Sequence, residues 1–196
     1  MSAVRYAPSV TAAEALTLTY EEYLALDAKG EVKHEYLRGQ VWAMAGGTIE
    51  HARLQVAVTS ELRSALKGKP CVVLSSDGKV RIDATDRTTY PDASVVCGPS
   101  EHSPRDRHAL TNPRVIVEVL SDDTERDDRG EKFSHYRHLS SLEEYVLVGQ
   151  RERRIEVFRR TPEGWILAEA VAGQQIVLRS VDVTLDVDAI YFDPRA

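Results

Sequence analysis

Residues 115–120 read VIVEVL, an apolar run with a single glutamate inside it. A strand with one face in water alternates apolar and polar residues. Val115, Ile116, Val117, Val119 and Leu120 do not alternate, which predicts a strand covered on both faces. Glu118 interrupts that run. An ionised carboxylate in such a place costs several kcal/mol unless a cation meets it. The residue therefore calls for a salt-bridge partner or a metal ion.

The rest of the chain supplies the frame for that strand. At 196 residues it has room for one domain with a sizeable core, expected over 17–196 after a loose arm over 1–16. In LTYEEYLAL, Thr19 and Glu22 have the spacing of a capping box and Leu18 and Tyr23 that of a hydrophobic staple, so a short helix starts there. HEYLRGQVWAM predicts two strands around a tight turn at Arg38-Gly39, with Glu35 just before it. Leu54, Val58, Leu62, Ala65 and Leu66 follow one helical face from Thr48 onward, with Gly68 as the stop. CVVLSS, KVRID, PDASVVCG and RVIVEVL read as strands; 125–139 reads as a helix with Phe133, Tyr136 and Leu139 inward. EYVLVG, RIEVFRR, GWILAE and IVLRS are further strands. The fold class expected is α/β (α+β), a mixed β-sheet flanked by helices.

Net charge is −6, which argues against a protein that coats nucleic acid through a strong basic field. Arginines do cluster in RERRIEVFRR and SPRDRH, where a phosphate-facing patch competes with the plainer reading of solvated strand edges. Cys71 and Cys97 lie in apolar, strand-like surroundings that suit buried thiols, and two cysteines make neither a metal site nor a disulfide framework. No stretch approaches the ~20 apolar residues of a spanning helix, so no membrane is expected and a reducing cytoplasm is the expected location.

A second acid bears on Glu118. Asp92 follows Pro91 at the entrance to the apolar run ASVVC, in what reads as a neighbouring strand. Acids on two adjacent strands can converge on one hard cation that activates water against a phosphodiester. Glu35 offers a third carboxylate, and Lys132, on the following helix, can bring an ammonium back to the strand ends. Plainer readings stand beside these: Asp92 as turn chemistry, Asp128 and Lys132 as a surface (i, i+4) pair, Glu35 as a solvated hairpin residue, His51 as a satisfied histidine. Glu118 alone resists them, and even it has the alternative of a buried arginine partner.

The strings YPDASVVCG, PRVIVEVLSDDTERDDRGEKFSHY and LEEYVLVG, with YEEYLAL, HEYLRGQVWAM and His51 upstream, resemble the Uma-type restriction endonuclease family. That bacterial family was first catalogued as a domain of unknown function and belongs to the PD-(D/E)XK nuclease superfamily. The resemblance spans roughly residues 17–160 and implies a restriction-endonuclease-like core. It also implies a divalent metal, Mg²⁺ or Mn²⁺, held by Asp92, Glu118 and Glu35, with the backbone carbonyl of Val119 as a further ligand. The superfamily lysine normally stands two residues after the strand acid, a position that is Leu120 here. The resemblance implies that Lys132 replaces it, making Asp92, Glu118 and Lys132 the catalytic set.

Thr124, Asp128, Lys132 and Tyr136 recur at four-residue steps; Asp128 and Tyr136 then flank Lys132, and Thr124 stands as a cap. Asp128 would orient the lysine or cap the helix, and Tyr136 and His51 would support the site. DNA is the expected substrate, and pairing into a homodimer or higher homo-oligomer is expected by analogy with the superfamily. Two alternatives stay open: a catalytically inactive binding or assembly module on the nuclease fold, and a nuclease for RNA or structured DNA.

Overall fold

The computed structural model describes residues 16–30, 32–44, 46–122 and 124–195. Residues 1–15 of the expected arm lie outside this range, and Leu16 already belongs to a short strand, β1 (Leu16–Thr17).

Local signals in the first half act as expected. Thr19 caps α1 (Tyr20–Asp27) reciprocally: its hydroxyl accepts from the Glu22 amide while the Glu22 carboxylate accepts from the Thr19 amide. β2 (His34–Leu37) and β3 (Gln40–Ala43) form the hairpin. Its Arg38 and Gly39 take φ of 48° and 92°, the positive values that a two-residue turn matched to strand twist needs. Thr48 caps α2 (Ile49–Ala65), which buries Leu54, Val58 and Leu62. The chain leaves that helix through Gly68 at φ 84°.

β4 (Cys71–Ser75), β5 (Val80–Ile82), β6 (Arg87–Thr89), β7 (Ala93–Cys97), β8 (His102–Ser103), β9 (Asp106–Leu110) and β10 (Val115–Val119) follow. Then come α3 (Glu125–Asp127), a π-helical turn over Asp128–Lys132, and α4 (Phe133–Tyr136). β11 (Glu144–Val148), β12 (Arg154–Thr161), β13 (Gly164–Val171), β14 (Gln175–Leu178), β15 (Val183–Asp186) and α5 (Val187–Tyr191) complete the order.

The strands build two larger sheets rather than the one expected. The first runs β13-β12-β11-β10-β7-β4, with β10 parallel to β11 and antiparallel to β7. The second runs β1-β3-β2-β6-β5-β9-β8, and β14 pairs with β15 alone. β6, β8 and β9 escaped the sequence reading because RTT, HS and DRHAL carry no apolar period, although all three residues of β6 are buried.

The two faces of β10 go to different cores, which explains the unbroken apolar run. Val115, Val117 and Val119 pack with Leu54, Val58 and Leu62 of α2, while Ile116 and Leu120 pack with Val80, Ile82, Tyr136 and Tyr145. Each fully buried aliphatic side chain there contributes roughly 1.5–3 kcal/mol. Side chains alternate along the strand, so Glu118 falls on the Ile116 face, between the first sheet and the 125–136 segment.

Three further expectations change. The helix over 125–139 is broken by the π turn and ends at Tyr136, although Leu139 stays buried. Thr124 sits at the N-cap without capping; its hydroxyl and amide are bound instead to the Ser121 hydroxyl. Cys71 and Cys97 are joined as a disulfide rather than left as thiols, because the β4–β7 register sets them directly opposite each other. Loop closure over their separation of 26 residues implies about 3 kcal/mol of stability. Reduction with dithiothreitol should lower the thermal midpoint by several degrees, and an unchanged midpoint would contradict the bridge.

The arginines of both clusters are bonded within the chain. Arg159 meets Glu144, Arg160 donates to the carbonyls of Leu142, Arg137 and Leu139, and Arg154 meets Glu152 and Glu169. Arg151 pairs with Asp122, Arg153 lies 4.0 Å from Asp188, Arg105 bridges to Glu21, and Arg107 donates to His108. Among the described residues no helix is long and apolar enough to cross a membrane.

Candidate active site

The β7–β10 ladder supplies the site by coming apart. Its last pair is Val117 with Ala93, so Asp92 and Glu118 stand opposite each other just where the strands separate. Glu118 is 2% exposed, and three donors face it. Oε1 accepts from the Tyr136 hydroxyl at 2.8 Å and from Lys132 Nζ at 3.3 Å, and Oε2 accepts from the Asp92 amide at 3.4 Å. Burial pushes the Glu118 carboxyl up, the nearby Lys132 ammonium pulls it down, and Asp128 and Asp92 push it up again. It is a reluctant anion held in place by its donors.

Asp92 is fastened from two sides. Oδ2 accepts from the Val119 amide at 2.7 Å and meets His51 Nε2 at 3.2 Å. Gln55 Nε2 donates to both Oδ1 and the Asp92 carbonyl at 3.1 Å. His51 and Gln55 are four residues apart on α2, hence on one helical face. The Asp92 hydrogen bond raises the His51 pKa above its ordinary value while burial opposes it. In an extended strand a residue's N–H and C=O share one edge, so the Val119 carbonyl lies on the Asp92 side.

Gly47 closes over His51. A Cβ at that position would lie 2.8 Å from His51 Nδ1, closer than a Cβ approaches a non-bonded atom. Gly47→Ala must therefore push the imidazole off Asp92. We expect any catalytic activity to fall on the order of 10–100-fold with an unchanged circular dichroism spectrum.

Lys132 reaches back from the helical segment to the strand end. Its Nζ lies 2.9 Å from Asp128 Oδ1 and 3.3 Å from Glu118 Oε1. Burial alone would lower its pKa, but Glu118, Glu35 and Asp128 overcompensate and hold the ammonium firmly charged. The π turn that carries Asp128 and Lys132 is anchored by the Tyr145 hydroxyl, which donates to the Asp128 carbonyl at 2.9 Å. Tyr136, one turn on, completes the set.

Glu35 is not the solvated hairpin residue that its sequence context suggests. It is buried, Thr89 Oγ1 donates to its Oε1, and Arg87 Nη2 lies 3.4 Å from its Oε2. Glu35, Asp92, Glu118, Asp127 and Asp128 line one cavity of about 460 Å³, together with Lys33, Lys132 and His51.

Five carboxylates against two ammonium groups and the Arg87 guanidinium, which meets Glu35 and Asp127, make a hard-oxygen wall that keeps a surplus of negative charge, donor chemistry that fits a divalent ion such as Mg²⁺. Among the described residues no three His, Cys, Asp or Glu side chains already close into a cage. Asp92 and Glu118 are the pair brought together. Glu35 lines the same cavity while bonded to Arg87 and Thr89.

The comparisons with known proteins agree with this architecture. The family model described as "Uma2: Putative restriction endonuclease" matches residues 20–188. The chain belongs to this family. An uncharacterized protein of Synechocystis sp., slr1290, is 36% identical over 178 residues, covering 89% of this chain and 91% of that protein. A second uncharacterized Synechocystis protein, sll1609, is 29% identical over 153 residues, covering 78% and 86%. The crystal structure of a putative nuclease belonging to DUF820 from Anabaena variabilis superposes with a TM-score of 0.65 at 18% identity, over 82% of this chain and 90% of that one. That likeness is one of fold.

In this Uma2 chain, Asp92, Glu118, Lys132, Asp128, Tyr136 and His51 form one connected set of hydrogen bonds and ion pairs. The sequence reading missed Gln55, Arg87 and Thr89. Gln55 had a usable signal in its (i, i+4) spacing from His51. Arg87 and Thr89 had none, because DRTTYPD reads as a turn.

Proposed function

We propose that the chain is a metal-dependent nuclease that hydrolyses DNA phosphodiester bonds in the cavity between Asp92, Glu118 and Lys132. The observation that carries this reading is the return of Lys132 to within 3.3 Å of Glu118, at the point where Asp92 and Glu118 face each other. A buried carboxylate facing a partly exposed one, with a charged lysine beside them, is apparatus suited to phosphodiester hydrolysis.

Mg²⁺ or Mn²⁺, when bound by Asp92 and Glu118 with Glu35 and the Val119 carbonyl as further donors, would supply Lewis acidity toward water and phosphate. Lys132 would place its ammonium against the negative charge that builds on the phosphoryl oxygens. Asp128 holds that ammonium in position, and the Tyr136 hydroxyl fixes the rotamer of Glu118. His51 and Gln55 fix Asp92. In the reaction the water oxygen forms the new P–O bond as the P–O bond to the leaving sugar oxygen breaks. One product carries a phosphomonoester and the other a hydroxyl that takes up a proton.

Cleavage of a DNA substrate panel with Mg²⁺ or Mn²⁺ tests this. Wild type should cut, and Asp92→Asn and Glu118→Gln should each lose at least ~10²-fold. Intact DNA across the panel would sink the catalytic claim.

A second reading is an inactive binding module on the same fold. It is favoured by the Lys132–Glu118 pair itself, since a retired site would also keep a protein cation on its buried acid. Under that reading Mn²⁺ would not bind, and Glu118→Gln would change stability alone.

A further inference from the structure

Trp42 has no place in the cores. It is half-buried and joins none of the three apolar clusters among the described residues, whereas Trp165 packs beside Phe133. Its cross-strand partner in the β2–β3 hairpin is Glu35, so the two side chains lie on one face of the sheet, and both line the cavity. The Arg87 guanidinium stands 5.9 Å from the indole centroid. Met44 and Tyr90 line the cavity too, so its lining holds apolar surface as well as the acids.

Resting on the nuclease reading above, we propose that this cavity takes one unpaired nucleotide of DNA, with its base laid against Trp42 and its phosphate toward Asp92, Glu118 and Lys132. The chain then acts on single-stranded or frayed positions rather than on intact duplex.

Size and charge both support this substrate class. About 460 Å³ is the scale of a pocket that encloses one small ligand, and a base still stacked in a duplex cannot enter it. Duplex binding draws its affinity from many phosphate contacts by free basic side chains. The net charge here is −6, and the arginines of both sequence clusters are bonded inside the chain. Stacking of a base on an aromatic ring needs no such field.

An acidic chain with an uncommitted indole beside its reactive acids gains more from an unpaired base than from a charged backbone track. The surplus of carboxylates would repel the phosphate until a divalent ion offsets it. Nucleotide binding is therefore expected to need that ion.

The test uses the full chain with Ca²⁺ as the divalent probe and oligonucleotides carrying 2-aminopurine. They are presented as a single strand, as a matched duplex and as RNA of the same sequence. Stacking on Trp42 should quench the fluorophore in the single strand, which should bind at least about tenfold tighter than the duplex. Trp42→Ala should remove the quench and weaken single-strand binding about 5-fold or more, and Trp42→Phe should retain most of both. Equal binding of duplex and single strand, or single-strand binding untouched in Trp42→Ala with native circular dichroism, would overturn the proposal. Tighter binding of RNA would overturn the assignment to DNA.

A parallel cleavage arm with Mg²⁺ separates the two readings. Trp42-dependent binding without any cutting would remove the nuclease reading and leave the nucleotide site standing. Duplex cut as fast as single strand would remove this inference and leave the nuclease.

Discussion

Lys132→Met should sharply reduce cleavage and also destabilise the metal-free protein, in a way that depends on pH. The catalytic loss is expected at about 10²–10³-fold, the usual cost of removing one preorganised donor from a developing phosphate charge. The structural loss follows from what remains. Glu118, buried in the middle of a sheet, keeps the Tyr136 hydroxyl and the Asp92 amide but loses its only ammonium among the described residues.

Breaking one side of a buried pair costs on the order of 3–5 kcal/mol. Protonation of Glu118 can relieve that cost. Its carboxyl is already raised by burial from 4.5 to about 8 in the intact site, and loss of Lys132 removes the interaction that holds it down. A carboxyl raised in the folded state binds its proton more tightly there than when unfolded. Its contribution is therefore fully present below pH 4.5 and is lost as pH rises toward and beyond 8.

The deficit of Lys132→Met relative to wild type should thus stay small and level up to about pH 8, where Glu118 is protonated in both folded proteins, and grow above it, as read by urea titration. A deficit that is flat with pH would show that Glu118 does not carry it. Saturating Mn²⁺ should narrow the gap, since a bound cation replaces the missing ammonium.

Glu144→Ala should be the most damaging substitution away from the site. Glu144 opens β11 at 2% exposure, yet it is one of the most heavily bonded carboxylates in the molecule. Oε1 accepts from Arg159 Nε at 3.1 Å and the Arg179 amide at 3.0 Å; Oε2 accepts from the Ser180 amide at 3.0 Å and its hydroxyl at 2.6 Å. The side chain thereby ties the connection between β14 and β15 to the first sheet and neutralises Arg159.

Truncation leaves two amides, the Ser180 hydroxyl and the Arg159 Nε without their acceptor, at an expected cost of about 3–5 kcal/mol. Glu144 and Glu118 lie near opposite ends of paired strands, because Glu118 faces Leu147 and Val115 faces Glu144. Mn²⁺ affinity should therefore stay at its wild-type value in whatever fraction remains folded. A stability loss below ~1 kcal/mol would mean that the β14–β15 hairpin is held by its apolar contacts alone.

The two substitutions mark how far the residues alone carried the argument. Glu118 was legible because an apolar run with no alternation needs cover on both faces, and an acid inside it needs a partner; both conditions are local. Lys132 was legible as a candidate through its place on the helix after the Glu118 strand and through the family resemblance, and its arrival at Glu118 depends on how the 125–136 segment docks. Glu35 kept a solvated reading beside that of a third carboxylate because its burial comes from β6, a strand of Arg and Thr whose polar residues hide it. The same concealment removed Arg87 and Thr89 from view and merged two sheets into one.

The Cys71–Cys97 bridge depends on the β4–β7 register, a long-range pairing that two isolated cysteines cannot announce. The π turn is invisible for another reason: the side chains that read as a four-residue repeat are the same whether the backbone closes to i+4 or i+5.

The claim at the centre of this account is that Asp92 and Glu118 share a divalent ion next to Lys132. Anomalous diffraction at the manganese edge from Mn²⁺-soaked crystals tests it most directly. The account predicts a peak bridging the Asp92 and Glu118 carboxylates, with the Lys132 ammonium still beside Glu118, and no peak in Asp92→Asn. Crystals that stay empty at saturating Mn²⁺, with the Lys132–Glu118 pair closed across the site, would contradict it.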